Sequence, residues 1–463
     1  MKDAQTPVSP LTARAQGDPI QPASMRSRPF AYANVYLSQV GLAAKNESNC
    51  TVFLNDGTWF TTWGQGLHEG APNESIVFAA STDMGLTWSI PSAIQTSVPA
   101  LEEHVAYGIP FVAPAASAAP DRIYVFFFVN LNTEGRLWAE TGTLDHRKRR
   151  YPEHGTGHLH FVFSDDHGRT WSDRHRISLP PRDIDQVPGR IDGWVNHPPQ
   201  TMPTGEVVFT YGGGRRNFRA WQLGAAEVNV VHCDNILTET DPQKLTFTTY
   251  PRGPRGIRVD AFRHQHNPAL RQLLAYYDGV AEDTGFDFEE MTIVPLSGDR
   301  WLGVGRCKLG SPAYTLSHDR GRTWTTPEPL CYAPAGEPIK HPMTMCPIAK
   351  TRDERFVLLF TNNDGSQRGA RHVWDGDGRT RNPQWITVGR ETARDERNAG
   401  LTFGKPVVLA EVDDSGPTDL KTGISMPQFF EREGRYFVCY NVNKRDILLD
   451  EIPAEGLKAL TPW

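Results

Sequence analysis

Five of six apolar segments in this chain open on or beside a side chain that can move a proton or carry charge. These are Glu47, His104 with Tyr107, His197, Glu290 and His341; the sixth segment carries Met426. A carboxylate can act as base toward a neighbouring hydroxyl, and an imidazole can give or take a proton near neutral pH. A lone histidine is more often a satisfied structural residue. Acids and histidines recurring at matching places in successive segments point instead to one shared site.

The segments are residues 46–57, 102–114, 194–205, 288–298, 340–354 and 422–434. Most are followed by a second apolar run, such as "RIYVFFFV", "EVVFTY" or "RFVLLFTN". The runs are short, rich in β-branched and aromatic residues, and bounded by turn formers, as β-strands are. A phrase of the form Ser-x-Asp-x-Gly-x-Thr-Trp occurs at 81, 164 and 317. The first two copies start 83 residues apart and the last two 153 apart, close to twice as far, so one copy has decayed between them. A unit of about 80 residues suits one four-stranded blade of a β-propeller. In the phrase, Asp83, Asp166 and Asp319 would accept backbone hydrogen bonds two residues on, and Gly85, Gly168 and Gly321 supply a positive φ. Thr87, Thr170 and Thr323 would start the next strand, and the tryptophans bring apolar surface to bury. The phrase reads as a hairpin staple without chemistry of its own. The expected architecture is all-β, a six-bladed propeller over residues 31–463. The strand at 34–40 completes the last blade and removes an open edge. Acids and histidines at the starts of inner strands would converge on one mouth of the central tunnel.

Composition narrows the classes. The 463 residues hold 12 Trp, 41 Gly and 36 Pro, which suits many short strands and tight turns, and the net charge is −6. The basic cluster "DHRKRRYPEH" at 145–154 is interleaved with acids, so it reads as a solvated loop and not as a nucleic-acid surface. No run of 18 apolar residues occurs, so no membrane partner is expected. The six cysteines form no CxxC pair and have no zinc spacing, so they read as buried free thiols, with no metal and no cofactor called for. Residues 1–30 lack an apolar signal core and read as a disordered tail, and the expected location is cytoplasmic.

The phrase together with six blade openings resembles the Asp-box, or BNR repeat, of the sialidase (neuraminidase) superfamily, over about residues 31–455. The sharpest likeness is "EEMTIVPLSGDRWLGVGRCKLGSPAYTLSHDRGRTW", which is similar to the sialidase segment carrying a catalytic Glu, a Gly turn, an Arg and then an Asp-box. The resemblance implies that Glu290 polarises a nucleophile and that Arg306 grips a substrate carboxylate. A guanidinium suits that grip because it pairs with carboxylates through two parallel hydrogen bonds. "RTRNPQWITVG" resembles the segment bearing a second carboxylate-binding Arg, with Arg381 the better match and Arg371 the next.

The chain departs from the family at three places. Glu47 falls where sialidases open the first blade on Arg. Ile424 or Met426 stands where they carry a Tyr nucleophile. The loop "GQGLHEGAPNES" has no Asp where they carry the acid/base, and Glu69, beside His68, is its nearest substitute. The resemblance thus implies a sialidase-like exo-glycosidase acting on a carboxylate-bearing sugar with unusual catalytic residues. Glu290, Glu69 and Glu47 are the candidate catalytic groups. Arg306, Arg381, His104, Tyr107, His197 and His341 are the candidate substrate-binding groups. Two other classes remain open. One is another carbohydrate enzyme on this scaffold, either a hydrolase with paired carboxylates or a uronate lyase built on His104, His197, His341 and Tyr107. The other is a glycan-binding propeller without activity.

Overall fold

The computed structural model describes residues 19–462 apart from 21, 23, 39–44, 68–70, 72, 102, 115–119, 132–155, 186–188, 216–224, 265, 267–270, 272–286, 367–379, 393–395 and 414–422. The described strands form six antiparallel blades arranged as a propeller. The inner strands are Lys45–Phe53, Glu103–Ala113, Gln200–Thr201, Phe288–Pro295, Ile348–Lys350 and Ile424–Arg432 for blades 1 to 6. The second strands are Trp59–Gly66, Arg122–Leu131, Val207–Arg215, Trp301–Cys307, Phe356–Phe360 and Arg435–Val442. The third strands are Ser75–Ser81, Thr156–Ser164, Ala225–Cys233, Ala313–Ser317, Gln384–Glu391 and Asp446–Ile452. Blades 2 and 3 are joined by Ile191–Trp194, which pairs with a strand of each.

Second strands are sandwiched within their sheet and between blades, which explains their unbroken apolar runs. Ile123 to Phe128 are all essentially inaccessible to solvent. The core is divided into six apolar clusters, one at each interface between neighbouring blades. The cluster between blades 6 and 1 packs Trp59, Trp63 and Val77 on Phe437, Cys439 and Leu449, so the ring is closed by the same packing that fills it. The inner strands of blades 3 and 5 are shorter than expected from the sequence. Pro198, Pro199 and Pro203 in one and Pro342 and Pro347 in the other remove ladder donors.

The closing strand is Ala31–Tyr36, three residues earlier than the expected start, and it pairs with Asp446–Ile452 as the outermost strand of blade 6. Residues 39 and 40 of the expected strand lie outside the described residues. Most of the expected tail, residues 1–18, also lies outside them, but its boundary at residue 30 needs correction. Met25–Ser27 adds a strand to Val407–Val412 of blade 5. Arg28 is buried, and its Nε donates to Asp450 Oδ1 at 2.6 Å. One stretch of chain therefore holds two blades together.

The three phrases lie between the third and outer strands, at the rim of blades 1, 2 and 4. In each, the Ser hydroxyl donates to the Asp carboxylate at 2.7–2.9 Å. The Thr four residues after the Asp gives it both a backbone and a hydroxyl hydrogen bond. The Thr therefore closes the turn and does not start the next strand, which begins at Ser92 in blade 1. The Thr170 hydroxyl, then the Thr170 amide and the Ser164 hydroxyl, hold the Asp166 carboxyl down at about 2. Gly321 has φ 78°, and a Cβ there would stand 2.6 Å from Trp301 Cζ3. Gly321→Ala is therefore expected to destabilise the protein by about 2 kcal/mol or more through strain and clash, and Asp319→Ala by about 1 kcal/mol per lost hydrogen bond. Denaturant unfolding measures both. The folded variants should keep the ligand affinity of the unaltered protein; a selective loss of binding would show that the phrase belongs to the site.

Candidate active site

The site is built from irregularities in the inner strands. In blades 1, 2, 4 and 6 the ladder between inner and second strand slips by a bulge, between Glu47 and Cys50, Ala106 and Ile109, Glu289 and Thr292, and Ser425 and Gln428. Each bulge holds a non-glycine residue at positive φ: Ser48 (58°), Tyr107 (61°), Glu290 (51°) and Met426 (52°). These four residues occupy the same place in their blades. The same offset from the hairpin gives Asn196 in blade 3 and Met345 in blade 5. A left-handed backbone costs about 1–2 kcal/mol at a residue with a Cβ. Four such costs at one level of the ring mark that level as the place where the fold is bent to present side chains.

Glu290 is the charged member of this level. Its Oε1 accepts from Asn196 Nδ2 at 2.5 Å, and its backbone carbonyl accepts from His197 Nε2 at 3.2 Å. Arg306, on the adjacent strand of the same blade, brings Nη1 to 3.0 Å from Glu290 Oε2. That approach is an ion pair without hydrogen-bond alignment. Arg306 is more tightly engaged by Glu289, whose Oε2 accepts from Nε at 3.1 Å and from Nη2 at 2.5 Å. Asp287 and Lys308 continue the same cross-strand ladder as a second buried ion pair.

One guanidinium between two carboxylates separates their proton affinities. Burial pushes the Glu290 carboxyl up to about 7, with Arg306 opposing and the Glu289 charge adding to the rise. Burial also pushes Glu289 up, but Arg306, a hydrogen bond with Asp287 and the Lys308 charge together hold that carboxyl below its usual range. Glu289 thus favours its anion, and the Glu290 carboxyl can exchange a proton near neutral pH. Arg381 and Lys444 lie close enough to favour the ionised form of Glu290 as well. Lys444 Nζ also stands 2.9 Å from Glu47 Oε2, so Glu47 and Glu290 both act on one ammonium group.

The other expected residues divide. Glu47 is 1 % exposed, paired with Lys45 and Lys444, and one residue before the ring position held by Ser48. His197 adjoins the ring position at Asn196; burial pushes it down to about 4, so it is a neutral donor to the Glu290 carbonyl. His341 does not open its blade, because that place belongs to Met345. Its Nε2 donates to Thr344 O at 2.8 Å and its Nδ1 accepts from Thr361 N at 3.3 Å. Fully buried, with burial pushing it down to about 3, it has no ring nitrogen left for a ligand. Tyr107 holds a ring position, and His104 lies three residues before it, against Glu74. Glu69, His68 and Arg371 lie outside the described residues. Glu289, Asn196, Lys444 and Glu74 were not singled out by sequence reasoning. The paired acids "EE" at 289–290 were a usable signal, but nothing local marks the other three. Among the described residues no group of three or more His, Cys, Asp and Glu side chains is placed to hold a metal.

No protein-family model matches the chain, and no curated protein does. Solved structures do. A Dyadobacter fermentans protein of unknown function aligns with a TM-score of 0.56 at 14% identity, over 90% of this chain and 97% of that one. A Hadza microbial sialidase aligns with 0.56 at 15%, over 91% and 68%. The intramolecular trans-sialidase of Ruminococcus gnavus, solved with oseltamivir carboxylate, aligns with 0.53 at 14%, over 92% and 98%. The likeness is one of fold. At these identities it transfers no residue roles.

A cavity of about 430 Å³ adjoins the same level, lined by His197, Gln200, Thr292, Ile348 and Gln428 among others. The Gln200 and Gln428 amides bond backbone atoms of neighbouring blades, so their role is to stitch the ring.

Proposed function

We propose that the protein is a sialidase-like exo-glycosidase that removes a carboxylate-bearing sugar from a glycan, using Glu290 as its proton carrier. The carrying observation is Glu290 itself: a buried carboxyl near neutrality, at a strained ring position, with Arg306, Arg381 and Lys444 around it. Arg306 and Arg381 would hold the sugar carboxylate. Glu290, protonated, would give its proton to the departing oxygen. The repeated phrase, read as an Asp-box, and the fold of the neighbouring sialidases support the class. Met426 in place of a Tyr nucleophile sets the route apart from theirs and leaves Glu47 or Glu69 as the candidate second carboxylate. That methionine also favours a second reading, a glycan-binding propeller without turnover.

Aryl sialosides, aryl uronides and uronate oligosaccharides test the proposal. The expected result is hydrolysis of at least one acidic glycoside, with kcat/KM falling about 10–100-fold for its methyl ester, since a charged hydrogen bond is lost. An unsaturated product would indicate a lyase. Binding without turnover would indicate the second reading.

A further inference from the structure

Glu74 lies in the loop after the second strand of blade 1, beside the first strand of blade 2. Its carboxylate is almost fully buried, and Oε2 stands 2.8 Å from His104 Nε2. Its backbone carbonyl accepts from the Ser97 amide at 3.0 Å and the Ser97 hydroxyl at 2.6 Å, and that hydroxyl accepts from the Val105 amide at 3.0 Å. Ser97 thus ties the Glu74 backbone to the strand that carries His104. A Cβ on Gly64 would come within 2.9 Å of Glu74 Oε1, so glycine leaves the room the carboxylate occupies. Gly64 pairs in register with Glu47, which puts the Glu74–His104 pair one strand away from the Glu47–Lys444 contact.

The other face of the imidazole is open to change. Asn130 Nδ2 lies 3.4 Å from His104 Nδ1, a long contact, and Asn130 Oδ1 is buried with no partner. With Nε2–H donated to Glu74, Nδ1 carries a lone pair and Asn130 Nδ2 faces it. Once Nδ1 takes a proton, the same amide, turned over, would offer Oδ1 as acceptor. The pocket therefore offers one ring nitrogen a partner with or without its proton, and Glu74 holds the ring's tautomer and orientation, as a carboxylate does in an acid–histidine pair. The His104 side chain keeps 19% of its surface exposed, whereas His341 is fully buried with both ring nitrogens engaged.

We infer that His104, oriented by Glu74, is the general base of the reaction proposed above, in the place left there to Glu47 or Glu69; the inference rests on that reading. Glu290 gives its proton to the glycosidic oxygen as the bond from that oxygen to the anomeric carbon breaks. Water adds to the same carbon and passes its proton to His104 Nδ1. The imidazolium then returns that proton through solvent to the Glu290 carboxylate, and both groups are restored. Glu290 on blade 4 and His104 on blade 2 would stand on different sides of the bound sugar, with blade 3 between them. His104 is the catalytic residue of the pair, and Glu74 positions it.

The test uses the full chain and whichever aryl glycoside it hydrolyses. His104→Gln is expected to lower kcat by about 10²–10⁴-fold with KM changed less than about threefold and the unfolding midpoint retained. Added imidazole should restore part of the loss in His104→Gly. Glu74→Gln should lower kcat at least about tenfold in the same pattern. A folded His104→Gln with the kcat of the unaltered protein overturns the inference, and so does a loss carried wholly by KM. An unaltered protein that hydrolyses no glycan overturns the proposed function and this inference together, a result distinct from the other two.

Discussion

Glu290→Gln is expected to lower kcat by about 10²–10⁴-fold and leave a folded propeller. The fold should survive because most contacts persist. The glutamine carbonyl can still accept from Asn196, and Arg306 keeps its two hydrogen bonds to Glu289. What disappears is a titrating group. The folded Glu290 carboxyl, raised mainly by burial to about 7, lies above the unfolded value of about 4.3. Its contribution to stability is therefore full below about pH 4 and is lost as pH rises through about 7. The stability of the unaltered protein relative to Glu290→Gln should fall by about 3 kcal/mol between pH 4 and pH 8, measurable by denaturant unfolding at both. Catalysis should follow the same group: an acid that must be protonated makes kcat/KM fall above about pH 7, tenfold per unit. A pH-rate profile flat from 6 to 9, or a Glu290→Gln variant with full activity, would remove Glu290 from the mechanism.

The fold was legible where its signals are local. The phrase "SHDRGRTW" carries its whole hydrogen-bond pattern within eight residues, and the apolar second strands announce themselves by composition. The shortened inner strands of blades 3 and 5 were also written locally, in their prolines. The site was less legible because bulges break the alternation on which counting along a strand depends. Glu47 misses the ring position by one residue for this reason, Ser48 holding it, and His197 misses by one in the proline-rich opening of blade 3, where Asn196 holds it. His341 misses by four, because its segment bends through Pro342 before the strand begins. The partners of the site come from far along the chain: Asn196 reaches Glu290 across 94 residues, and Lys444 meets Glu47 only when blade 6 docks on blade 1. No local pattern encodes those meetings; closure of the ring creates them.

Arg306→Ala shows most clearly how structure changes an expectation drawn from sequence. Read as a grip on substrate alone, Arg306 would matter chiefly for binding. In the structure it is the counter-charge for two buried acids, Glu289 and Glu290. Removing it leaves Glu289 as an anion without its principal partner, and breaking a buried pair from one side typically costs about 3–5 kcal/mol. The loss should depend on pH. Arg306 holds the Glu289 carboxyl down against burial, so the stabilisation it provides is present above the ordinary carboxylate range and fades as pH falls and the acids protonate. The destabilisation by Arg306→Ala, measured by urea unfolding, should be full above the ordinary carboxylate value of about 4.3 and shrink as pH falls below it. Adding Glu289→Gln should recover a large part of it, because the second change removes the orphaned charge. Activity should not return with stability, since the sugar carboxylate would still lack its guanidinium. A double variant as unstable as Arg306→Ala would show that Glu289 is not what the arginine neutralises. One that regains full turnover would show that the arginine serves the fold alone.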